Sequence, residues 1–271
     1  MARIAVLQMT SGIDPEGNFD AIATAAGDAA AQGATMLFAP EMAMLLDRDR
    51  ERAGRHIDAE GSQQWSSRLA DIAKENELDL IVGAPVAGPN EKRLNRLFYC
   101  ASSGERPLTY DKMHMFDVDL DTGESWRESN AYEAGREVVT VDDTPVGRLG
   151  LSICYDLRFP ALFDAFGRRQ CDCIAVPAAF TVPTGQAHWH TLIRARAIEA
   201  TAFVVAPAQV GQHEDGRTTF GHSLVVDPWG DIILDMGTEG PGLAVVDIDM
   251  DRIAQVRRQI PSLANRRTIP N

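Results

Sequence analysis

Short, uninterrupted apolar runs recur along the chain and limit the folds that it can adopt. They read RIAVLQM, ATMLFAP, LDLIVGAPV, RLGLSIC, CDCIAVPAAF, AFVVAPAQV, HSLVV and GLAVVDI. Runs without polar alternation are typical of strands that are buried on both faces, as in sheets covered by helices. Between these runs lie alanine-rich or amphipathic segments of helical length, at 18–33, 62–77, 161–170 and 186–201. Strands that alternate with helices predict a layered α/β fold.

Length and composition favour a single domain over residues 1–271. Because 45% of the 271 residues are hydrophobic, the chain can bury most of its apolar surface. No glycine-serine linker or low-complexity tract divides it. Several strand ends share small residues and proline, as in FAPE, GAPV, VPAAF and VAPAQ, which hints at a repeated β-α-β unit. The stretch 116–136 is long and irregular, and loops of that length are usually functional or disordered.

Charge and cysteine content argue against several classes of partner. The formal net charge of -13 repels phosphate backbones and anionic lipid, so we expect neither nucleic acid nor a membrane as a partner. No run is long enough to span a bilayer, and the N-terminal residues resemble a first strand more than a signal peptide. The four cysteines form no CxxC pair, so we expect reduced thiols in a cytoplasmic protein.

The motifs of two common enzyme classes are incomplete. The segments GLSIC and GHS each begin like the GxSxG elbow of serine hydrolases, but both lack the closing glycine that the strained turn requires. Neither GxGxxG nor GxxxxGK[ST] occurs, so the α/β pattern carries no nucleotide-binding signature.

Metal-binding patterns are also incomplete. The spacing of EF-hand oxygen ligands is matched by Asp117, Asp119, Asp121, Ser125 and Glu128. Thr122, however, stands where that loop needs glycine for its sharp turn. His188 and His190 form an HxH with no third ligand in view. We therefore expect no metal and no cofactor.

A cysteine nucleophile remains, since the apolar run GLSIC ends on Cys154 and then turns into YDLRFP. Such a cysteine needs a base to take its proton and a donor to hold the oxyanion that forms on an attacked carbonyl. The scattered histidines give no clear partner, so carboxylates and lysines have to be considered, among them Glu41 and Lys112. Each also has an ordinary interpretation: Cys154 as a buried apolar residue, Glu41 in the first turn of a helix, and Lys112 as a solvated cation.

Three ordered segments resemble the nitrilase superfamily of carbon–nitrogen hydrolases: FAPE at 38–41, YDKMHMFD at 110–117 and GLSICYDLRFP at 150–160. The superfamily's glutamate, lysine and cysteine occur in that order. The resemblance continues through RESNAYEAG at 127–135, PAAFTVPTGQAHWHTLIRARAIE at 177–199 and GHSLVVDPWG at 221–230, and it covers nearly the whole chain. Within the superfamily the chain looks most like the amidase branch that includes deaminated glutathione amidase and omega-amidase. The segment AQVGQHEDGRTTFGHSLVVDPWG favours the first of these.

The resemblance implies a four-layer αββα sandwich that forms a homodimer or a higher homo-oligomer, with a C-terminal segment of about 250–271 helping the association. It also implies hydrolysis of a small linear amide, with release of ammonia, through a thioester on Cys154. Glu41 would be the base, and Lys112 and the backbone N–H of Tyr155 would hold the oxyanion. Glu128 would hold Lys112 or the substrate amide.

The resemblance also places substrate contacts after a later strand end, at Phe180, Thr181 and His188. For His188 a satisfied histidine at a helix start is an equal alternative. Asp156 and Arg158 are expected to brace the turn after Cys154 by ion pairing.

The helical segment before residue 201 offers one ordinary structural pair. Arg196 and Glu199 are spaced for an i, i+3 ion pair on one helix face. We assign neither residue a role in catalysis.

Two positions depart from the superfamily pattern, which commonly reads RFPE and AHWE, because Ala161 and His190 replace those acids.

Glu41, Lys112 and Cys154 also suit other enzymes of the superfamily. These are an omega-amidase that acts on substrates such as alpha-ketoglutaramate, a nitrilase and an N-carbamoyl hydrolase. A catalytically silent binding protein with this fold is the alternative outside the enzymes. The joint presence of Glu41, Lys112, Cys154 and Glu128 argues against it, because an unused site has no reason to keep a desolvated carboxylate beside a thiol.

Overall fold

Two six-stranded sheets form the centre of the molecule. The computed structural model describes residues 1–57, 59–121, 123 and 125–268. The strands are β1 (Ala2–Gln8), β2 (Met36–Phe38), β3 (Asp79–Ala87), β4 (Arg93–Cys100), β5 (Leu108–Asp111), β6 (Asp117–Asp119), β7 (Ser125–Arg127), β8 (Thr140–Thr144), β9 (Gly147–Leu151), β10 (Cys173–Ala175), β11 (Phe203–Ala206), β12 (Val210–Gln212), β13 (Thr218–Phe220), β14 (Leu224–Val226), β15 (Ile232–Asp235) and β16 (Gly242–Ile248). The helices are α1 (Pro15–Ala31), α2 (Arg50–Gly54), α3 (Ala59–Glu75), α4 (Pro160–Arg168), α5 (Val182–Ala200) and α6 (Asp251–Gln259), with 3₁₀ turns at Glu128–Asn130 and Cys154–Arg158.

Each sheet has parallel strands at its centre. The first sheet runs β16-β1-β2-β3-β4-β5 and the second runs β15-β14-β11-β10-β9-β8. Strands β1, β2 and β3 are mutually parallel, as are β9, β10 and β11. Such strands are covered on both faces, which accounts for the uninterrupted apolar runs of the sequence.

The alternation of side chains along β1 reveals the layers. Ile4 and Val6 join the core that includes the second sheet, whereas Ala5 and Leu7 join the core formed with α1 and α3. On the far side of the second sheet, α4 and α5 contribute large buried side chains such as Phe163, Trp189 and Ile193. The order helix, sheet, sheet, helix confirms the predicted αββα sandwich.

The predicted helical segments all exist, and all four begin earlier than the patterns indicated, by one to four residues. Helix α1 begins at Pro15 because the Asp14 side chain accepts hydrogen bonds from the N–H groups of Glu16 and Gly17. The segment expected at 186–201 begins at Val182, which is followed by Pro183 in the first turn.

The stretch expected to be irregular holds a small hairpin of β6 and β7. Asp119 forms an ion pair with Arg127, and Asp117 accepts a hydrogen bond from a backbone N–H. Two positions of the EF-hand-like spacing, Thr122 and Glu124, lie outside the described residues. Asp117 and Asp119 are therefore engaged in holding the hairpin together.

The end of the chain returns to the first sheet. Strand β16 pairs antiparallel with β1, from Ala2 opposite Ile248 to Gln8 opposite Gly242. Helix α6 follows, and residues 269–271 of the segment expected to help dimerisation lie outside the described residues. Among the described helices, none combines the length and the apolar character needed to cross a bilayer.

Candidate active site

Four predicted site residues meet in one cavity of about 520 Å³ at the ends of both sheets. Glu41 follows β2 and Lys112 follows β5 in the first sheet, whereas Cys154 follows β9 in the second. Glu128 begins the 3₁₀ turn after β7. Pockets in α/β folds lie at the carboxyl ends of parallel strands, and β2 and β9 supply two such ends here.

The backbone around Glu41 crosses closely over β3. Gly83 donates its N–H to the carbonyl of Pro40 at 3.1 Å, and a Cβ on Gly83 would lie 2.7 Å from the Glu41 Cα. Gln209 donates its side-chain amide to the Glu41 carbonyl at 3.0 Å. Residues 41–44 form turns, so Glu41 does not start a helix. The ordinary helix-start interpretation of Glu41 is wrong because these tertiary hydrogen bonds hold the chain in another conformation.

Lys112 is only 2% exposed and lies between two carboxylates. Its Nζ donates to Glu41 Oε1 at 3.0 Å and to Glu128 Oε2 at 2.9 Å. Burial acts to lower the pKa of Lys112, but the charges of Glu128 and Glu41 outweigh it and hold this pKa well above its ordinary value. The solvated-lysine interpretation is therefore wrong, and the residue is a buried ammonium ion.

The Glu41 carboxylate is ionised in the resting site. Burial acts to raise its pKa, but the charge of Lys112 and hydrogen bonds from Cys154, Lys112 and Asn95 lower the pKa below its ordinary value. Its second oxygen, Oε2, accepts the backbone N–H of Ala179 at 2.9 Å. Glu41 is thus fixed by donors on several elements and is oriented toward the thiol.

The Cys154 thiol is neutral at rest. Burial raises its pKa well above the ordinary value, and the Glu41 charge adds to this effect while Lys112 opposes it. The thiol shares a hydrogen bond with the Glu41 carboxylate. A thiolate here would face two carboxylates with one ammonium ion, so these charges favour the protonated thiol.

The backbone at Cys154 is strained into the left-handed region, with φ at 48°. This conformation is uncommon for a non-glycine residue and occurs often at functional sites. The Cys154 N–H donates to the Pro177 carbonyl at 2.9 Å, and the 3₁₀ turn begins at the same residue. Tyr155 therefore lies in a first helical turn, where backbone N–H groups lack partners within the helix.

Asp156 braces this turn, but not through Arg158. Its buried carboxylate accepts the N–H of Ile153 at 2.9 Å, the Tyr110 hydroxyl at 2.7 Å and the His114 N–H at 3.0 Å. The Arg158 guanidinium instead lies 3.3 Å from a ring nitrogen of His188. The expected Asp156–Arg158 ion pair is wrong, because hydrogen bonds to neighbouring strands and loops already satisfy the carboxylate.

Asn95, on β4, is a site residue that the sequence analysis missed. Its side-chain nitrogen donates to Glu41 Oε1 at 2.7 Å and to Glu128 Oε1 at 3.1 Å, so it joins the two carboxylates. Its side-chain oxygen is buried without a hydrogen-bond partner in the described part of the chain. The available signal was a polar residue that shares one strand face with Leu97 and Tyr99 in the run RLNRLFYC.

Three of the four other predicted contacts line the same cavity. Tyr155, Phe180 and Thr181 are all part of its wall. His188 is not: it is exposed on α5 and lies next to Arg158. The structure thus brings the first three to the cavity that contains Glu41, Lys112 and Cys154, and it leaves His188 outside this cavity.

Arginines that the sequence analysis did not single out surround the cavity, and they are Arg48, Arg50, Arg93, Arg127 and Arg217. Two of them are paired, Arg127 with Asp119 and Arg217 with Asp215. The aromatic side chains of Phe116, Trp126 and Tyr132 lie among them. The cavity wall is therefore rich in planar cations and aromatic surface, which suits a substrate that carries carboxylates.

The predicted ion pair on α5 is confirmed, because a guanidinium nitrogen of Arg196 lies 2.8 Å from a carboxylate oxygen of Glu199.

The two positions that depart from the superfamily pattern lie on α4 and α5. Ala161 is exposed in the first turn of α4. His190 contacts Asp235, with its Nε2 3.0 Å from the carboxylate.

The fold and this site define a carbon–nitrogen hydrolase. The chain belongs to the carbon-nitrogen hydrolase family, whose pattern it matches over residues 3–258, and so to the nitrilase superfamily. Among its curated relatives, the deaminated glutathione amidase of Synechocystis sp. (strain PCC 6803 / GT-S) is 39% identical over 267 residues, which cover 97% of each chain. That of Homo sapiens is 36% identical over 269 residues, covering 97% of this chain and 82% of the human one.

Solved structures agree with these relatives. The C. elegans NitFhit protein superposes with a TM-score of 0.86 at 34% identity, covering 98% of this chain and 66% of that longer protein. An amidase from Nesterenkonia sp. AN1, in a mutant that shows Michael addition of acrylamide at its active-site cysteine, gives a TM-score of 0.80 at 27% identity, with 96% and 98% of the two chains covered.

Proposed function

We propose that this hydrolase cleaves a small, linear, carboxylate-bearing amide through a thioester on Cys154, with Glu41 and Lys112 as its catalytic partners. One observation carries the proposal. The Cys154 thiol is hydrogen-bonded to an ionised Glu41, and Glu41 in turn contacts a buried Lys112 ammonium on the wall of a cavity. This arrangement supplies a nucleophile, a base and an oxyanion donor within one site.

Acylation begins when Cys154 Sγ attacks the amide carbonyl carbon while Glu41 takes the thiol proton. The carbonyl π-electron pair moves to oxygen, and Lys112 Nζ–H and the Tyr155 N–H donate to that oxyanion. The negative charge moves from Glu41 to the oxyanion, so the net charge around Lys112 is unchanged. Glu41 then returns its proton to the departing nitrogen as the C–N bond breaks, leaving a Cys154 thioester.

Deacylation repeats these steps with water. Glu41, again a carboxylate, takes a proton from a water molecule that attacks the thioester carbonyl. The second oxyanion has the same donors, and its collapse breaks the C–S bond, while Glu41 returns the proton to the sulfur. Glu128 holds Lys112 in place throughout, and Asn95 holds both carboxylates.

The substrate that we propose is of the deaminated glutathione type. The curated relatives with this name match the chain over nearly its full length. The arginines and aromatic groups around the cavity suit a substrate with carboxylates at a distance from the scissile amide. In deaminated glutathione the amide nitrogen carries the cysteinylglycine part, so cleavage releases an amine, and ammonia is released only from primary amides.

The test is hydrolysis of a panel: deaminated glutathione, alpha-ketoglutaramate, a simple nitrile and an N-carbamoyl amino acid. Amine release is followed for the first and ammonia release for the others, with Cys154→Ala as the control. We expect the largest kcat/KM for deaminated glutathione and no turnover by the variant. A preference for alpha-ketoglutaramate would assign omega-amidase activity, and a preference for either of the last two compounds would refute the amidase proposal.

We also propose that the protein functions as a homodimer. Ile198, Trp229, Ile232 and Ile233 are large apolar side chains that are 40–48% exposed near α5 and β15. Ile198 lies close to the Trp229 segment, since its Cδ1 would be 2.7 Å from a Cβ on Gly230. Light scattering on the full chain should give a dimer mass, and Ile233→Lys should shift it toward the monomer; a monomer in the unmodified protein would refute the proposal.

A cytoplasmic location is the remaining part of the proposal. Its support is chemical, because Cys100, Cys154, Cys171 and Cys173 are all unpaired and buried. Free thiols persist in a reducing compartment. Cell fractionation tests the location, and recovery of the protein in an extracytoplasmic fraction would contradict it.

A further inference from the structure

Two histidines and one aspartate converge on the second sheet, apart from the catalytic cavity. His190 lies on α5, His222 lies between β13 and β14, and Asp235 ends β15. His190 Nε2 is 3.0 Å from Asp235 Oδ2, and His222 Nδ1 is 3.1 Å from the same oxygen. The three ligand atoms all lie within 4.8 Å of one another. Three different elements therefore present two imidazoles and a carboxylate to one point.

These separations are close to those of a zinc site. Zinc binds imidazole nitrogen and carboxylate oxygen at about 2.0–2.2 Å, which puts neighbouring ligand atoms of a tetrahedron about 3.3 Å apart. The two distances to the Asp235 carboxylate already have this size, so only the distance between the two ring nitrogens has to shorten. The side chains are 23–34% exposed, which leaves a fourth position open to water.

Surrounding hydrogen bonds fix the backbone at His222 and one carboxylate oxygen of Asp235. His222 has a left-handed φ of 53°, its N–H donates to the Gly237 carbonyl at 2.8 Å, and its carbonyl accepts the Trp189 indole N–H at 2.8 Å. The Gly237 N–H donates to Asp235 Oδ1 at 2.9 Å. A hydrogen bond to a ligating carboxylate helps to orient that carboxylate toward a metal.

The surroundings of the cluster are partly aromatic. The Phe220 ring stacks on His222 with centroids 4.6 Å apart and meets His190 edge-on. An aromatic ring therefore shields one side of the cluster.

We propose that His190, His222 and Asp235 bind one Zn²⁺ ion that cross-links α5 to the second sheet. The HxH pattern did not predict this site, because His190 uses distant residues as co-ligands and its neighbour His188 contacts Arg158 instead. Within the described residues no other group of histidine, cysteine and acidic side chains converges in this way. The first turn of α5 contributes to the cavity wall, so the ion would also hold that wall in place.

The test is a Zn²⁺ titration of the full chain after removal of metals with a chelator. Calorimetry gives the stoichiometry, and the melting temperature is measured with and without ZnCl₂. The ligand variants are His190→Gln, His222→Asn and Asp235→Asn, where asparagine tolerates the left-handed φ of position 222. His188→Gln is the matched control because it removes an exposed histidine from the same helix, and Cys154→Ala excludes binding through the catalytic thiol.

We expect one Zn²⁺ per chain and a rise in melting temperature for the unmodified protein, His188→Gln and Cys154→Ala. The three ligand variants should lose the saturable site and the thermal shift while keeping their metal-free melting temperature within a few degrees of the unmodified protein. Absence of saturable binding in the unmodified protein would overturn the proposal. Binding that survives both His190→Gln and His222→Asn would also overturn it.

Discussion

At the scale of single residues, the site is organised around one proton and one buried cation. The proton lies between Cys154 and Glu41, and the cation is Lys112. The sequence identified these residues because Cys154 ends an apolar run, Glu41 follows one, and the order of Glu41, Lys112 and Cys154 resembles that of a known superfamily. It did not identify Asn95, because the chemistry of this residue depends on two partners that are distant in the chain.

Replacing Glu41 with glutamine should stop catalysis without unfolding the protein. Glutamine has nearly the same shape, and its oxygen can accept from Lys112, but it cannot take the thiol proton. We expect kcat to fall by about 10²–10⁴, the usual contribution of a general base. Single-turnover kinetics with thioester detection checks this, and a normal acylation burst in Glu41→Gln would contradict the role of Glu41.

Replacing Asn95 with alanine should lower kcat more than it raises KM. Loss of hydrogen bonds to charged groups costs about 1.5–3 kcal/mol, or about ten- to a hundredfold in rate. Steady-state kinetics measures the change, and Asn130→Ala, at an exposed position, is the control. An unchanged kcat would show that Asn95 does not position the carboxylates.

The pH dependence of kcat/KM should be flat around neutrality. The Glu41 pKa is lowered, so this carboxylate remains a base until the pH falls below its ordinary value of 4.5. The Lys112 pKa is raised above 10.5, so its charge persists into alkaline solution. A pH–rate profile checks this, and a limb near the ordinary histidine pKa of about 6.5 would indicate a histidine base instead.

At the scale of elements, the apolar runs predicted eight of the twelve strands of the two large sheets, and the helical segments were placed within a few residues. The other four strands, β4, β5, β8 and β15, have half-buried or exposed positions that interrupt the apolar pattern. Other parts were also missed for physical reasons. The β6–β7 hairpin pairs only three residues per strand, so it leaves little periodicity in the sequence. The turn at Glu41 depends on contact with β3, and no local pattern encodes a tertiary contact.

Gly83→Ala should displace the Glu41 turn. The added Cβ would lie 2.6 Å from the Pro40 carbonyl oxygen, and this crowding is against backbone. We expect about 1–3 kcal/mol of destabilisation and a clear loss of kcat. Gly27→Ala, within α1, is the matched control. A Cβ at this position would meet no close contact, so the variant should unfold with an unchanged or higher free energy. Urea denaturation and activity measure both variants, and full activity in Gly83→Ala would contradict the role of this close approach.

At the scale of the whole molecule, the site exists only because the two sheets pack face to face. Glu41 and Lys112 follow strands of the first sheet and Cys154 follows a strand of the second, so no single element contains the proposed catalytic group. The periodicity of the sequence predicts strands in each sheet, but it does not predict how the two sheets pack against each other. The resemblance to the nitrilase superfamily supplied that placement, and the structure confirms the sandwich.

Buried thiols should make the fold sensitive to alkali. Burial raises the pKa of Cys100 and of Cys171 to about 12, whereas these thiols ionise near 9.0 when exposed. Their stabilising contribution is therefore present below about pH 9 and is lost as the pH rises toward 12, at about 1.4 kcal/mol per thiol per pH unit. Urea midpoints should fall between pH 8 and pH 10, and less so in a Cys100→Ala, Cys171→Ala variant; equal falls would contradict this account.

The most direct test of the central claim is mass spectrometry of the enzyme during turnover of the best substrate. After acid quenching and digestion, we expect the acyl part of the substrate as a thioester on the peptide that contains Cys154. The adduct should be absent from Cys154→Ala, which should also lack turnover. Turnover by Cys154→Ala, or an acyl adduct on a different residue, would contradict the proposal that Cys154 is the nucleophile.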